Sequence, residues 1–257
     1  MRVGVFTICY NEEVLLPYFF RHYRQFADVI TIIDNQSTDN SRAICEKEGA
    51  IVETLDSNDK SNIKILTELK NNHWKKYKDC DWFFIVDVDE IVYHPDMRNF
   101  LAAAADVNYT VLQPFAYQMI CERFIESDKQ ITEVMPYGIA STPEISEAFF
   151  SCPSFDKKCV IAPSQIEETN YGYGMHKANI QGKVNELRDP GLKLLHYRLL
   201  GLDYFLNKNK LRSKRLIKEL VDSGSSIHYL KMEEEITPLF NDALANCEDV
   251  VKNVISS

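Results

Sequence analysis

The most constraining feature of the sequence is an apolar run without alternation. Residues 82–86 read Trp-Phe-Phe-Ile-Val, with Asp81 before them and Asp87 after them. A strand with one face in water alternates apolar and polar side chains, whereas a strand buried on both faces does not. The run therefore predicts a central strand of a sheet that is covered on both faces.

Strand-like and helix-like segments alternate before this run. The predicted strands are Val3 to Ile8, Val29 to Asp34 and Ile51 to Leu55, and the predicted helices are Val14 to Phe26, Ser41 to Glu48 and Asn62 to Tyr77. This alternation indicates an α/β fold with a doubly wound, mostly parallel sheet flanked by helices. Such sheets bind ligands at the carboxyl ends of their strands.

The alternation weakens after Asp89. Further strands are predicted at Tyr109 to Met119, Lys158 to Ala162 and Leu192 to Tyr197, and further helices at Leu202 to Val221 and Met232 to Val254, with breaks near Gly224 and Pro238. We therefore predict one large domain over 1–200 and a C-terminal helical extension over 201–257.

Charge and cysteine usage exclude several classes of protein. The chain has 29 Lys and Arg against 38 Asp and Glu, a net charge of −9, whereas a nucleic-acid binder shows a basic domain or stripe. Its seven cysteines form no Cys-x-x-Cys pair, which favours a reducing, cytosolic setting. We find neither a signal peptide nor an apolar span of about 18 residues. The expected location is the cytoplasm, with at most peripheral contact at the inner face of the membrane.

Three acidic residues follow the apolar run, in the order Asp87-Val88-Asp89-Glu90. On an extended chain, Asp87 and Asp89 would point to the same side. Two carboxylates there suit Mg²⁺ or Mn²⁺, which takes its remaining ligands from water and from substrate phosphates. The alternative is an ordinary turn in which Asp is the turn former.

Polar segments also follow the first two strands. Thr7 to Glu13 places backbone N–H groups near a helix start, where they could face a nucleotide. Asp34 to Asp39 could bond a base or ribose, or form a capped turn. Neither segment carries a glycine-rich fingerprint, so a P-loop and a dinucleotide-binding turn are unsupported.

In combination, these motifs resemble the N-terminal half of family 2 glycosyltransferases of the GT-A fold. The resemblance covers residues 1–95 and rests on the following residues: Thr7 and Tyr10 to Glu13, then Asp34, Ser37 and Asp39, then Asp81-Trp82 leading into Asp87-x-Asp89-Glu90. Later segments are similar to the C-terminal signature of smaller bacterial members, namely Gly174-Met175-His176, Leu195-His196-Tyr197-Arg198, Phe205 and Lys208.

The resemblance implies a metal-dependent, inverting glycosyltransferase, with a nucleotide-binding half at 1–95 and an acceptor half at 96–200. The donor would be a nucleotide sugar, with a UDP-sugar favoured, and the acceptor a glycan or a lipid-linked molecule. The residues implied to bind the nucleotide are Thr7, Tyr10, Asn11, Asp34, Ser37 and Asp87, with Asp34 at the base. The ligands implied for Mn²⁺ or Mg²⁺ are Asp87, Asp89 and His196.

Catalysis by inversion also needs a general base. Candidates for the base between the acidic motif and His176 are Glu144, Glu147, Asp156, Glu167 and Glu168, none of which the sequence singles out. The predicted catalytic set is Asp89, Glu167, Glu168 and His176. His176 would reach the donor phosphates or the acceptor from a glycine-rich loop. A packed core histidine is the alternative interpretation of both His176 and His196.

A basic cluster lies on the predicted helix after residue 202. Lys208, Arg212 and Arg215 would share one face. That face could meet a phosphate-bearing lipid acceptor or an anionic membrane surface, or be a solvated helix face.

Three other functions compete with the transferase. A nucleotidyltransferase is disfavoured because no glycine-rich basic loop follows the first strand. An aspartyl-nucleophile phosphatase is disfavoured because such enzymes carry Asp-x-Asp on their first strand. A non-catalytic nucleotide-sugar-binding module remains compatible with the sequence.

Overall fold

The first half of the chain forms the predicted alternation of strands and helices. The computed structural model describes residues 1–56, 63–152, 155–216 and 227–252. The strands are β1 (Val3–Cys9), β2 (Val29–Asp34), β3 (Ile51–Thr54) and β4 (Trp82–Ile85). The helices are α1 (Leu16–Tyr23), α2 (Ser41–Lys47) and α3 (Ile63–Asn72), which a 3₁₀ helix (His73–Tyr77) follows. The four strands pair in parallel in the order β3-β2-β1-β4, which confirms the predicted α/β class.

The strand order explains why the apolar run does not alternate. β4 lies at the centre of a seven-stranded sheet, and all its residues are buried. Helix α1 covers the sheet with an aromatic face, in which Phe19, Phe20 and Tyr23 are at most 1% exposed. The Tyr23 hydroxyl donates to the Glu90 carbonyl at 2.9 Å, so the helix also fixes the chain just beyond β4.

Beyond β4 most strands have four residues or fewer, and the pairing is mixed. They are β5 (Glu90–Tyr93), β6 (Val111–Leu112), β7 (Phe115–Cys121), β8 (Tyr137–Ala140), β9 (Val160–Ile161), β10 (Ile166–Glu168), β11 (Gln181–Gly182), β12 (Glu186–Leu187), β13 (Lys193–Leu200) and β14 (Glu248–Asp249). The seven-stranded sheet continues from β4 through β9 and β6 to β12, and β9 is antiparallel to both of its neighbours.

A second sheet, which the sequence does not predict, has the order β14-β8-β7-β13-β5. The single strand predicted over Tyr109 to Met119 is split at Pro114, so that β6 joins the first sheet and β7 the second. Proline cannot donate to a strand ladder, which makes it a natural point of division. β13 pairs with both β7 and β5, and it carries His196 and Arg198 within the second sheet.

The later helices differ from their predicted bounds. They are α4 (Met97–Asp106), α5 (Ile131–Val134), α6 (Pro143–Phe150), α7 (Leu202–Ser213) and α8 (Glu233–Ala245), with 3₁₀ helices at Tyr173–Met175 and Ile227–Leu230. The predicted break at Pro238 is wrong, because Pro238 lies inside α8. The buried face formed by Ile236, Phe240 and Ala243 offsets the one hydrogen bond that proline cannot make. The predicted break at Gly224 lies outside the described residues.

The described residues after 200 pack against the rest of the chain. α7 follows β13 directly, and its Phe205 is fully buried. The predicted boundary between 1–200 and 201–257 stays a prediction. Among the helices of the described ranges, none combines the length and apolar character that crossing a membrane requires.

Substitution of Gly4 tests the packing around β4. A Cβ at Gly4 would lie 2.5 Å from the Phe83 ring, which is fully buried and cannot move aside cheaply. We expect Gly4→Ala to lower the free energy of unfolding by about 1–3 kcal/mol, the usual cost of overpacking. Gly172→Ala is the control, because its Cβ would have no neighbour closer than 3.7 Å. Equal urea midpoints for the two variants would contradict this account.

Candidate active site

Two adjoining cavities lie at the carboxyl ends of the central parallel strands. The first cavity, about 200 Å³, is lined by polar or charged residues that include Tyr10, Glu12, Asn35, Thr67, Lys70, Asp87, Arg212 and Arg215. The second cavity, about 470 Å³, is lined by residues that include Asp87, Asp89, Phe150, Phe155, Lys157, His176, His196, Arg198, Arg212, His228 and Tyr229. Asp87 and Arg212 line both, so a ligand with two parts could occupy the pair.

The loops after β1 and β2 are joined by side-chain hydrogen bonds. Asn11, with φ of +51°, donates its backbone N–H to the Ser37 hydroxyl at 3.1 Å. The Asn11 side-chain oxygen accepts the Thr38 N–H at 2.7 Å. Asp34 in turn accepts the Ser37 N–H at 3.2 Å. These bonds build one rigid wall from two loops.

The structure separates the predicted nucleotide-binding residues into two groups. Tyr10 and Asp87 line the first cavity, and the Arg215 guanidinium lies 3.5 Å from the centre of the Tyr10 ring. The other four do not line either cavity, namely Thr7, Asn11, Asp34 and Ser37. Thr7 is buried within β1, where its hydroxyl faces the Ile8 carbonyl at 3.5 Å.

The acidic segment after β4 is a turn, so the prediction of an extended chain there is wrong. The Glu90 N–H donates to the Asp87 carbonyl, and the buried Glu90 carboxylate accepts the Asp87 N–H, both at 3.0 Å. This pair of bonds curls the chain between Asp87 and Glu90. Asp87 and Asp89 nevertheless both line the second cavity.

Asp87 is held by two lysines that sequence reasoning missed. Lys70 Nζ lies 2.6 Å from Asp87 Oδ1, and Lys157 Nζ lies 3.3 Å from Asp87 Oδ2. Lys157 also contacts Glu90. Burial alone would raise the pKa of Asp87, but the two ammonium groups outweigh it and hold that pKa well below its usual value. Asp87 is therefore ionised and fixed in position.

Asp89 is surrounded by three donors, none at hydrogen-bond distance. From Asp89 Oδ2, Arg212 Nη2 lies at 3.6 Å, His196 Nε2 at 3.7 Å and Arg198 Nη1 at 3.9 Å. Burial would raise the pKa of Asp89, but His196 and the two guanidinium groups lower it well below its usual value. The result is a buried carboxylate that is charged and loosely surrounded.

His196 is oriented by a bond at its far nitrogen. Its Nδ1 lies 2.6 Å from Gln118 Oε1, and the Gln118 amide nitrogen donates to Ser141 at 2.9 Å. Because that amide donates to Ser141, its oxygen accepts from His196 Nδ1–H, and Nε2 faces Asp89. The ring also stacks on Phe155, with centroids 4.3 Å apart. This bonding is typical of a metal-binding histidine.

The arrangement of Asp89 and His196 fits a divalent cation. Two ligands at about 2.1 Å from one metal ion lie roughly 3–4 Å apart, and the two facing atoms are 3.7 Å apart. Within residues 1–56, 63–152, 155–216 and 227–252, no group of three His, Cys, Asp or Glu could hold a metal ion. A cation at Asp89 and His196 would take its other ligands from water and from substrate phosphates, as Mg²⁺ commonly does.

His176 lines the second cavity and is neutral. Burial, reinforced by Lys157 and Lys70, lowers its pKa to about 3. The positive φ of Gly174 (+67°) lets the loop fold over the ring, and a Cβ there would lie 2.6 Å from it. His176 can therefore bond a substrate group but carries no charge at neutral pH.

The predicted carboxylate bases are not brought to the cavities. Glu167 is exposed, and Glu168 bonds Lys75 at 2.6 Å on strand β10. In the described part of the chain, the acidic residues lining the two cavities are Glu12, Asp87 and Asp89. Periodicity could not reveal this, because it does not say where a two-residue or three-residue strand lies in the fold.

Lys208 and Arg212 on α7, and Arg215 just beyond it, are directed into the site. Peripheral membrane contact through them stays a prediction. Lys208 and Arg215 are less than 10% exposed. Lys208 bonds the buried Glu12 carboxylate at 2.5 Å, and Arg212 approaches it at 3.3 Å. The three side chains do share one face, but Glu12 and the first cavity attract that face inward. The solvated-face alternative is excluded for the same reason.

Comparisons with known proteins find similar solved structures but no family. No family model and no curated protein matches the chain. One similar structure is glucosyl-3-phosphoglycerate synthase from Mycobacterium tuberculosis in complex with Mn²⁺, UDP and glucosyl-3-phosphoglycerate, at 16% identity and a TM-score of 0.32, covering 45% of this chain and 44% of that one. TarS from S. aureus aligns at 15% identity with a TM-score of 0.44, and the alignment covers 83% of this chain and 39% of TarS. A structure of TarS residues 1–349 aligns at 15% identity with a TM-score of 0.41, and the alignment covers 90% of this chain and 71% of that one.

This chain therefore spans less than half the length of the first two solved structures. Likeness at these identities and scores does not decide an activity. The function is argued below from the site itself.

Proposed function

We propose that the chain is a metal-dependent glycosyltransferase of the GT-A type. It transfers a sugar, with inversion, from a nucleotide-sugar donor to a glycan or a lipid-linked acceptor. The nucleotide, with UDP favoured, occupies the first cavity against Tyr10, and the sugar occupies the second. Mn²⁺ or Mg²⁺ is held by Asp89 and His196, with Asp87 beside them.

The observation that carries this proposal is the facing pair of Asp89 and His196 in the second cavity. Asp89 Oδ2 and His196 Nε2 face each other 3.7 Å apart, a separation at which one divalent cation could contact both atoms. When bound, that cation would neutralise the charge on the diphosphate leaving group as a Lewis acid. Because imidazole is a softer ligand than carboxylate, Mn²⁺ suits this site as well as Mg²⁺ does.

Cationic side chains at the cavities also support the binding of a diphosphate. Arg212 lines both cavities and approaches Asp89, so it can bond a diphosphate that spans them. Lys70 lines the first cavity beside Asp87. Guanidinium and ammonium groups are the usual partners of phosphate oxygens.

One observation favours the non-catalytic binding module as the second candidate. Glu12, Asp87 and Asp89, the described carboxylates at the cavities, all contact cationic side chains. None is thereby poised to take a proton from an acceptor hydroxyl. The module would bind the donor with metal but release no nucleotide from it, which a turnover assay separates from the transferase.

A thermal-shift panel tests the proposal. UDP, GDP, CMP and their sugars are each added with and without Mn²⁺, to wild type and to Asp89→Asn. A ligand that binds only the native state raises its apparent stability. We expect one nucleotide family to raise the melting temperature in a Mn²⁺-dependent way, and Asp89→Asn to lose that rise. The metal–diphosphate site would be refuted if no ligand raised the melting temperature. It would also be refuted if the rise were the same with and without Mn²⁺ and in wild type and Asp89→Asn.

Gln118 provides a test that does not touch the metal ligands. Gln118→Leu removes the acceptor that orients His196, and loss of such a partner typically weakens metal binding about 10- to 100-fold. We expect this loss in titrations of Mn²⁺ into the UDP-bound protein. Gln118→Glu keeps an acceptor at the same place and is expected to retain tight binding. Wild-type affinity in Gln118→Leu would count against His196 as a ligand.

A further inference from the structure

We propose that the second cavity binds an anionic group in addition to the donor diphosphate, a phosphate monoester or a carboxylate, and that Arg198 recognises it. This inference rests on the proposed function, because it assigns the substrate class of the same site. The anion belongs either to the acceptor or to the transferred sugar, and the experiment below separates these sources.

Arg198 is a buried residue of the cavity wall, and part of its guanidinium group makes no hydrogen bond to a described residue. The residue is 2% exposed and lines the second cavity. Its Nη2 donates to Asn209 Oδ1 at 2.8 Å, which anchors one edge of the group. Its Nη1 is buried without a hydrogen-bond partner among the described residues. The nearby Asp89 Oδ2, at 3.9 Å, is beyond hydrogen-bond distance.

Most of the other charged side chains at the cavities lie in ion pairs. The pairs are Lys70 and Lys157 with Asp87 and Glu90, and Lys208 and Arg212 with Glu12 and Asp89. A divalent cation at Asp89 would bring positive charge, and the diphosphate bound to it would bring matching negative charge. Arg198 then shares its one nearby carboxylate among the described residues, Asp89 at 3.9 Å, with Arg212 and the cation. A buried charge is costly unless it is paired, so an additional anion is expected beside it.

The surroundings of Arg198 suit an anion that is attached to a sugar or a similar polar body. His176 and His228 line the same cavity, and each has a buried Nδ1 without a hydrogen-bond partner in the described ranges. Burial above all lowers both of their pKa values to about 3, so these rings are neutral and can bond hydroxyl groups. The planar fork of arginine matches the geometry of carboxylate and phosphate oxygens.

Two pairs of probes test the inference by calorimetry. Glucose 6-phosphate and glucose are titrated into protein saturated with UDP and Mn²⁺, and UDP-glucuronate and UDP-glucose into protein with Mn²⁺ alone. We expect the anionic member of one pair to bind more tightly, and Arg198→Gln to weaken it about 10- to 100-fold without changing its neutral partner. A preference in the first pair assigns the anion to the acceptor, and one in the second assigns it to the donor sugar.

The inference is overturned if wild type prefers neither anionic probe, or if a preference survives in Arg198→Gln. Arg24→Gln is the control, because Arg24 is exposed and pairs with Glu48 outside the cavities. If Arg198→Gln does not fold, Arg198→Lys decides, since it keeps the charge but loses the fork and should weaken the anionic probe alone. If UDP fails to bind wild type, the proposed function fails, and glucose 6-phosphate against glucose on the unloaded protein still decides the anion site.

Discussion

Replacing Asp89 with asparagine is expected to reduce release of the nucleotide from its sugar by about 10²- to 10³-fold, the scale on which a lost electrostatic contact to a developing charge acts. The substitution keeps the shape of the side chain but removes the charge that faces His196 and Arg212. The cation would be held more weakly, so the leaving diphosphate would lose its neutralisation.

The measurement is the rate of nucleotide release from the sugar that the thermal-shift panel selects, with water as acceptor. Asp106→Asn is the matched control, because Asp106 is exposed at the end of α4, outside both cavities. Its rate should equal that of wild type. Release by Asp89→Asn at the wild-type rate would mean that the carboxylate has no part in the reaction.

Replacing Glu12 with glutamine is expected to cost about 3–5 kcal/mol of unfolding free energy, the usual effect of removing one partner from a buried ion pair. Glu12 is 5% exposed in its side chain and accepts from Lys208 at 2.5 Å, while Arg212 approaches at 3.3 Å. The neutral amide would leave Lys208 buried without its counter-charge. The same change should loosen α7 from the loop after β1.

Chemical denaturation with urea measures this cost, and a surface pair provides the comparison. Glu46→Gln removes the exposed contact between Glu46 and Arg42 within α2, and such pairs contribute at most about 0.5 kcal/mol. Similar losses for Glu12→Gln and Glu46→Gln would show that the Glu12 cluster does not hold α7 in place.

Local patterns were sufficient for the first half of the fold and insufficient for the second. β1, β2 and β4 are runs of buried residues long enough to be seen in the sequence. β6 and β9 have two residues each, and their pairing depends on partners far along the chain. Both lie inside strands that the sequence predicts, but no periodicity exists over two residues, so their bounds and pairing, and the second sheet itself, could not be predicted.

The site divides in the same way. The sequence could indicate Asp87, Asp89 and His196 because they stand in recognisable local motifs. The structure brings these residues to one cavity. Lys157 stands in no such motif, and Arg198 stands beside His196 in its motif but carried no predicted role, because the contacts of both depend on residues packed around them. The orientation of the basic face of α7 depends on Glu12, which lies in a different part of the sequence. The direction of these basic side chains is therefore set by ion pairs between distant parts of the chain, which local patterns do not reveal.

Pulsed electron paramagnetic resonance of Mn²⁺ in the UDP-bound protein tests the central claim most directly, because it reports which nuclei surround the metal. The account predicts a ³¹P coupling from the diphosphate together with a ¹⁴N coupling from His196, the latter lost in His196→Gln. A ¹⁴N coupling that persists in His196→Gln, or Mn²⁺ bound without any ³¹P coupling, would contradict the proposed metal site.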